Sequence, residues 1–296
     1  MSTVTWIAVD WGSSNLRIWA MGADGADGAV LERITTDQGM LELTKDQYEP
    51  VLLSHIAPWL GDTAMPVVAC GMLGSRQGWI EAPYGTVPVS PASQTVTVQT
   101  HDPRIDVRVI AGLQQLEPAD VMRGEETQIA GYLAQNPSYS GVLCLPGTHS
   151  KWVAIDAGKV TSFQTVLTGE LFNLLADKSI LRHSMGAWDE ASFLQAVAQS
   201  AQSPEALLTG LFGLRASQLL RGDDTGKSRL SGMVIGTELG ATKAFWQGKE
   251  TVIIGAGELA RLYGAALQQL NATVKVEKVE EMTLSGLKTV YESVFK

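Results

Sequence analysis

Apolar positions along the chain fall into short runs and helical stretches whose order repeats. Residues 4–10 are an apolar run that ends on an acid, Asp10. Gly12, Ser13 and Ser14 follow as a tight turn, and a second β-rich run starts at Leu16. That pattern predicts strand, turn, strand. Residues 22–28 are turn chemistry, and residues 30–35 read as a third strand, so the start of the chain is an antiparallel meander. Thr44 can cap a helix reaching about residue 60, because Tyr48, Val51, Leu52, Ile56, Trp59 and Leu60 recur at helical spacing. Pro50 leaves the start of that helix open. Residues 66–70 read as a short buried strand running into a Gly-Ser-Arg-Trp loop at 71–79, and residues 107–111 as another strand. A helix opens near residue 123 and runs to about 135.

The order then recurs. Residues 142–145 are an apolar strand, 146–150 a turn, 151–155 a strand, 156–159 a hairpin turn and 160–167 a third strand. Aligning the turns puts Gly147 on Gly12 and Thr148 on Ser13, with Leu145 in the place of Asp10. A repeated supersecondary unit predicts two lobes of like topology with different roles. Helices are expected over 170–182, 188–199, 203–220 and 230–246. A strand at 251–254, a Gly-x-Gly turn with a helix after it, a strand at 274–276 and a closing helix at 285–295 complete the chain.

Composition narrows the classes. The 296 residues permit two domains, and 45% hydrophobic with 18% charged residues is ordinary for a globular chain. A net charge of −9 with no basic cluster argues against a general nucleic-acid binder. Cys70 and Cys144 sit in apolar runs and read as reduced core thiols. No apolar run approaches the roughly 18 residues of a membrane span, and no N-terminal signal pattern is visible. A cytoplasmic protein with no membrane partner is expected; a homodimer stays open.

Several residues carry candidate chemistry. Asp10 can cap its own turn, or it can hold the hydrated Mg²⁺ that accompanies phosphates in a Gly-Ser turn. Arg17 is a surface charge or a phosphate contact. Glu125 and Glu126 suit a helix start through the macrodipole, yet phosphoryl transfer to a hydroxyl also needs one carboxylate to take the proton; Glu126 is slightly preferred. Lys151 is a strand-edge charge or a phosphate contact. Arg76, beside Ser75 in a Gly-rich loop, can hold a carboxylate through its guanidinium fork. The four histidines, His149 among them, show no metal-ligand spacing, so zinc is not expected. Residues 255–260 (Gly-Ala-Gly-Glu-Leu-Ala) match a dinucleotide fingerprint, with Glu277 about 20 residues on, where a ribose-binding acid belongs. An NAD-linked dehydrogenase is therefore the rival reading. The same turn serves where an adenosine lies close to the backbone, or as a plain tight turn.

The ordered set of Asp10, Gly12, Ser13, Ser14 and Arg17, then Gly147-Thr148, then Gly255-Ala256-Gly257 resembles the actin-like ATPase superfamily of sugar kinases, acetate kinases and chaperone ATPases. The resemblance implies an α/β fold of two lobes with duplicated, ribonuclease H-like topology around a nucleotide cleft. The first turn and its acid would meet Mg²⁺ and phosphates, the second turn phosphate, and the late turn the adenosine of ATP. The helix near Gly124, with Ala130 and Gly131, and Leu284-Ser285-Gly286-Leu287 resemble the two interlobe helices. Four longer strings, at 70–79, 122–128, 145–152 and 167–172, resemble the 2-dehydro-3-deoxygalactonokinase family. That implies phosphorylation of a small 2-keto-3-deoxy sugar acid on its terminal hydroxyl, with ATP and Mg²⁺. Gly74, Ser75, Arg76, Gln77, Trp79 and Glu170 become candidate substrate contacts. The lobes would be residues 1–138, with the metal turn and the sugar-acid site, and residues 139–296, with the last helix a candidate to pack back on the first lobe. The catalytic aspartate usual in sugar kinases is a glutamate here, and galactonate and gluconate derivatives are not distinguished. A nucleotide-dependent sugar sensor with the same lobes is a further alternative.

Overall fold

The computed structural model describes residues 3–23 and 30–296. Most of the turn expected at 22–28 lies outside the described residues. Contacts divide the chain into two units: Met1–Tyr139 with Ala157–Thr161 and Val279–Lys296, and Ser140–Asp156 with Ser162–Lys278.

The first unit is built on β1 (Val4–Trp11), β2 (Leu16–Gly22), β3 (Val30–Thr36), β4 (Met65–Gly71), β5 (Tyr84–Thr86), β6 (Thr95–Thr97), β7 (Ile105–Ile110), β8 (Gly112–Gln115) and β9 (Asp120–Met122), with helices α1 (Tyr48–Ile56) and α2 (Glu125–Gln135). Its main sheet has the order β3-β2-β1-β4-β7-β6, and β5-β8-β9 form a small second sheet. β1 and β2 are antiparallel, whereas β1, β4 and β7 run parallel. β1 is covered on both faces, which is why its sequence is nearly continuous in apolar residues. Ile7, Val9 and Trp11 pack with Tyr48, Leu52 and Ile56 of α1. Trp6 and Ala8 pack with Leu287 and Val290 of the closing helix, and Trp6 stacks on Tyr291 at 4.5 Å between ring centres.

The second unit holds β10 (Gly141–Leu145), β11 (Ser150–Asp156), part of β12 (Lys159–Val166), α3 (Thr168–Asn173), α4 (Glu190–Gln202), α5 (Leu207–Arg221), α6 (Gly226–Ala241), α7 (Lys243–Trp246), β13 (Glu250–Gly255), α8 (Gly257–Gln269) and β14 (Thr273–Lys278). The closing helix is α9 (Val279–Phe295). The sheet order is β12-β11-β10-β13-β14. β10 and β11 are antiparallel, and β10, β13 and β14 run parallel. This repeats β3-β2-β1-β4-β7, so the expected duplication is present strand for strand. Its core joins Cys144, Trp152 and Ile253 to Phe193, Val197, Leu230, Val234, Tyr263 and Leu267.

Element boundaries differ from expectation in ways with local causes. The backbone N–H of Thr44 is held by the Gln47 side chain at 2.8 Å in a short 3-10 turn, and α1 begins only at Tyr48. Pro50 then falls in the first turn, where its missing N–H has no intrahelical partner to lose. The helix expected at 170–182 is α3 followed by π and 3-10 turns, and the one at 230–246 breaks at Thr242. α9 starts at Val279 rather than near 285, because Met282, Thr283 and Gly286 are already buried. Within the first unit α9 crosses α2 on glycines. A Cβ at Gly131 would overlap the Met282 carbonyl, and one at Gly286 would overlap that of Thr127. Gly286→Ala is expected to lower unfolding stability by about 1–3 kcal/mol in urea titration; an unchanged midpoint would contradict so close a crossing.

Candidate active site

Two hairpin turns and their neighbours carry the polar chemistry. In the first unit, Asp10 lies near the end of β1, opposite Arg17 on β2 and Cys70 on β4. Its Oδ2 accepts from Arg17 Nη1 at 3.0 Å, and the Cys70 thiol lies 3.8 Å from Oδ1. Burial raises the Asp10 carboxyl above its ordinary range; Arg17 opposes this, and the charge of Glu125 adds to the rise. The turn itself is braced from outside. Gly12 N–H bonds Asn15 at 2.9 Å, and the carbonyls of Gly12 and Ser13 accept from Met40 and Leu41 at 3.0 Å. Ser13 and Ser14 stay exposed.

α2 points its first turn toward the same strand ends. Gly71 (φ +98°) ends β4 with its Cα against the Trp11 carbonyl, and Gly124 (φ +105°) opens α2 beside Gly71. Both positions require the conformational freedom of glycine. Glu126 is 0% exposed. Its oxygens accept from Gly124 N–H at 2.7 Å and the Thr127 hydroxyl at 3.2 Å. Burial first, and then the Glu125 charge, push its carboxyl up to about 8. Glu125 is partly exposed and accepts from Arg123 N–H at 3.2 Å. The preference for Glu126 as proton acceptor therefore meets a physical obstacle. That carboxyl is enclosed, doubly bonded to its own helix start and pushed up to about 8. Glu125 is the partly exposed acid of the two.

Glu126 also makes stability depend on pH. Its folded value lies above the ordinary 4.5, so the folded state holds a proton that the unfolded state has lost. Stability from this group is complete below about 4.5, falls as pH rises toward about 8 and levels off above that. Thermal melts from pH 5 to 9 should show this fall in the wild type and a smaller one in Glu126→Gln. Parallel curves would contradict the assignment.

The loop after β4 divides. Gly74 is buried against the Arg123 guanidinium, and the buried Ser75 hydroxyl bonds the Met40 sulfur at 3.2 Å. Trp79 stacks on Tyr48 (6.1 Å) and meets Trp11 edge-on (6.4 Å). Arg76 and Gln77 are exposed. Sequence reasoning passed over Arg123, which lies over the Tyr84 ring at 4.3 Å and donates to the Ala82 carbonyl at 2.8 Å. Its place directly before Gly124-Glu125 was the available signal.

In the second unit Leu145 pairs with Lys151, as Asp10 pairs with Arg17 in the first. Each hairpin thus sets one cation across from its first strand. Lys151 is buried, and its Nζ donates to the His149 carbonyl at 3.1 Å. Gly169 packs its Cα against Gly147 and Thr148, and Glu170 N–H donates to the Thr148 carbonyl at 2.9 Å. His149 Nε2 and Glu170 Oε2 are 2.5 Å apart on the exposed side. A pocket of about 460 Å³ opens from Gly147 and Thr148 to Glu258 and Leu259, just past the Gly255-Ala256-Gly257 turn. Phe172, Val234, Ile235 and Leu262 give it apolar walls, and Lys227 and Ser231 add polar groups. A slot of that make-up suits a nucleoside.

No group of three or more His, Cys, Asp or Glu side chains able to hold a metal occurs among the described residues. Asp10 nevertheless fits Mg²⁺, a hard ion that keeps most of its waters and needs only one or two carboxylates. No helix among the described residues is long and apolar enough to cross a membrane.

The chain is similar to known proteins. Residues 10–290 match the family described as 2-keto-3-deoxy-galactonokinase. A protein of Rhizobium meliloti (strain 1021), named a probable 2-dehydro-3-deoxygalactonokinase, is 36% identical over 300 residues, covering 97% of each chain. The 2-dehydro-3-deoxygalactonokinase of Escherichia coli (strain K12) is 31% identical over 299 residues, covering 99% of each. A crystal structure from Sinorhizobium meliloti with the same kinase name superposes with a TM-score of 0.89 at 35% identity, over 98% of this chain and 97% of that one. Component A of the (R)-2-hydroxyglutaryl-CoA dehydratase of Acidaminococcus fermentans shares the fold at 15% identity and a TM-score of 0.52, over 98% of this chain and 99% of that one.

Fold and matches define a sugar kinase on the actin-like ATPase plan. The chain belongs to the 2-keto-3-deoxy-galactonokinase family. It is a phosphotransferase with an alcohol group as acceptor. The NAD-linked dehydrogenase is thereby corrected. β13 has one parallel strand after it, too few for a dinucleotide fold, and Glu277 is engaged by Lys275 at 2.8 Å.

Proposed function

We infer that the chain transfers the γ-phosphoryl group of ATP to the terminal C6 hydroxyl of 2-dehydro-3-deoxy-D-galactonate, a step of galactonate breakdown in the cytoplasm. The observation that carries the mechanism is the Asp10–Arg17 pair at the end of β1, with Glu125 partly exposed at the start of α2. Asp10 would orient hydrated Mg²⁺. The ion would offset phosphate charge. Gly12, Ser13 and Ser14 of the first hairpin, with Arg17, would hold phosphate oxygens through their N–H and hydroxyl groups, and in the second unit Gly147 and Thr148, with Lys151, would act on phosphate in the same way. The pocket that ends at Glu258 would take the adenosine, backed by Gly255, Ala256 and Gly257.

Glu125 would accept the proton of the attacking hydroxyl, late in the transfer, because the phosphoryl transition state is loose. Glu126 would hold Gly124 and the helix start in place. Arg76, with Gln77 and the Gly74-Ser75 backbone, would fix the sugar-acid carboxylate. Trp79 would wall that loop, and Glu170, steadied by His149, would meet a substrate hydroxyl. Arg76→Ala should raise the KM for the acid about 10- to 100-fold with kcat little changed; an unaltered KM would remove Arg76 from the site.

ADP release measured with ATP, Mg²⁺ and a panel of keto-deoxy sugar acids tests the reading. Release that requires an acid, and is fastest with the galactonate derivative, is expected. Release without any acid, or none with all of them, would contradict it, and the second result would favour a sugar sensor.

A further inference from the structure

We propose that Glu238 is the positioning residue of the nucleotide half of the site, holding the Gly147-Thr148 turn in register with the helix behind the adenosine pocket. The proposal rests on the reading of that turn and pocket given above. Glu238 sits on α6, is 1% exposed and makes no direct contribution to the pocket lining. Three elements converge on its carboxylate. Trp152 Nε1 of β11 donates to Oε1 at 2.7 Å. The Thr168 hydroxyl, at the start of α3, donates to Oε2. The Tyr263 hydroxyl of α8 donates to Oε2 at 2.5 Å, and Tyr263 in turn bonds Ser150 Oγ at 2.7 Å.

Each partner leads to the proposed nucleotide contacts within a residue or two. Ser150 and Trp152 follow the Gly147-Thr148 turn directly. Thr168 lines the pocket and precedes Gly169 and Glu170, whose backbone packs against Gly147 and bonds the Thr148 carbonyl. Tyr263 lies on the helix that starts at Gly257, and that helix also supplies Glu258, Leu259 and Leu262 to the pocket. One carboxylate thus fixes both flanks of the turn and the adenosine helix.

The chemistry requires a carboxylate rather than any polar group. The indole N–H can only donate, and both hydroxyls also point their hydrogens at Glu238, so the site needs an acceptor on each oxygen. Glutamine would put an amide donor against two hydroxyl donors and turn at least one of them away. Burial raises the Glu238 carboxyl, and hydrogen bonds from Thr168, Tyr263, Trp152 and Ser150 oppose that rise. Replacing this carboxylate by a well-packed apolar side chain could hold the core together, but it could not hold the turn.

The test is steady-state kinetics and ADP binding on the full chain with two variants, Glu238→Gln and Tyr263→Phe. Tyr263→Phe and Glu238→Gln should raise the KM for ATP and the Kd for ADP about tenfold or more, with the KM for the sugar acid within about twofold. Wild-type enzyme without ATP-dependent turnover would defeat the functional reading itself. Active wild type, with Tyr263→Phe changing melting temperature but neither ATP parameter, would overturn the positioning role. If Glu238→Gln fails to fold, Tyr263→Phe still decides the question.

Discussion

Asp10→Asn should lower kcat by about a thousandfold or more while the protein folds normally. Asparagine keeps the size and one acceptor oxygen but removes the charge that would order hydrated Mg²⁺ and the pairing with Arg17. Loss of a single preorganised electrostatic contact in an active site costs on the order of 10²–10³ in rate, and a misplaced metal adds to this. Stability should move the other way. Burial raises the Asp10 carboxyl, so its charge at neutral pH is a cost to the fold. The variant should therefore melt no lower than the wild type. A folded Asp10→Asn enzyme that keeps more than a tenth of wild-type kcat would contradict the metal role.

Glu125→Gln should reduce kcat by about 10²–10⁴ with both KM values nearly unchanged, as expected for a lost general base. Glu126→Gln should stay within about tenfold of wild type. Burial pushes the Glu126 carboxyl up to about 8, and a glutamine can bond Gly124 N–H and the Thr127 hydroxyl in its place. The pair separates two roles that sequence alone left entangled. If Glu126→Gln is the inactive one, the roles are exchanged.

Much of the fold was legible because the duplicated sheets impose a strong pattern. β1 and β10 are apolar along their length since both faces are covered, and each is followed by a turn and an antiparallel partner. The family strings added the order of loops, which periodicity cannot supply. The small strands β5, β8 and β9 escaped notice because three or four residues carry too little alternation to read. The start of α9 was missed because glycine-mediated packing on α2 is a tertiary feature with no local signature.

The site divides in the same way. Asp10, Arg17 and the two turns follow from strand ends and glycines, so spacing located them. Choosing between Glu125 and Glu126 required burial, because adjacent helix residues face different directions while looking alike in the sequence. Glu238 has no motif at all. Its partners come from β11, α3 and α8, and only the packed core brings them together.

The most direct test of the kinase assignment is identification of the product. With ATP, Mg²⁺ and 2-dehydro-3-deoxy-D-galactonate, mass spectrometry and ³¹P NMR should find one new phosphate monoester per ADP released, with its phosphorus coupled to the C6 protons. A phosphate ester at another carbon, or ADP formed with free phosphate and unchanged acid, would contradict it.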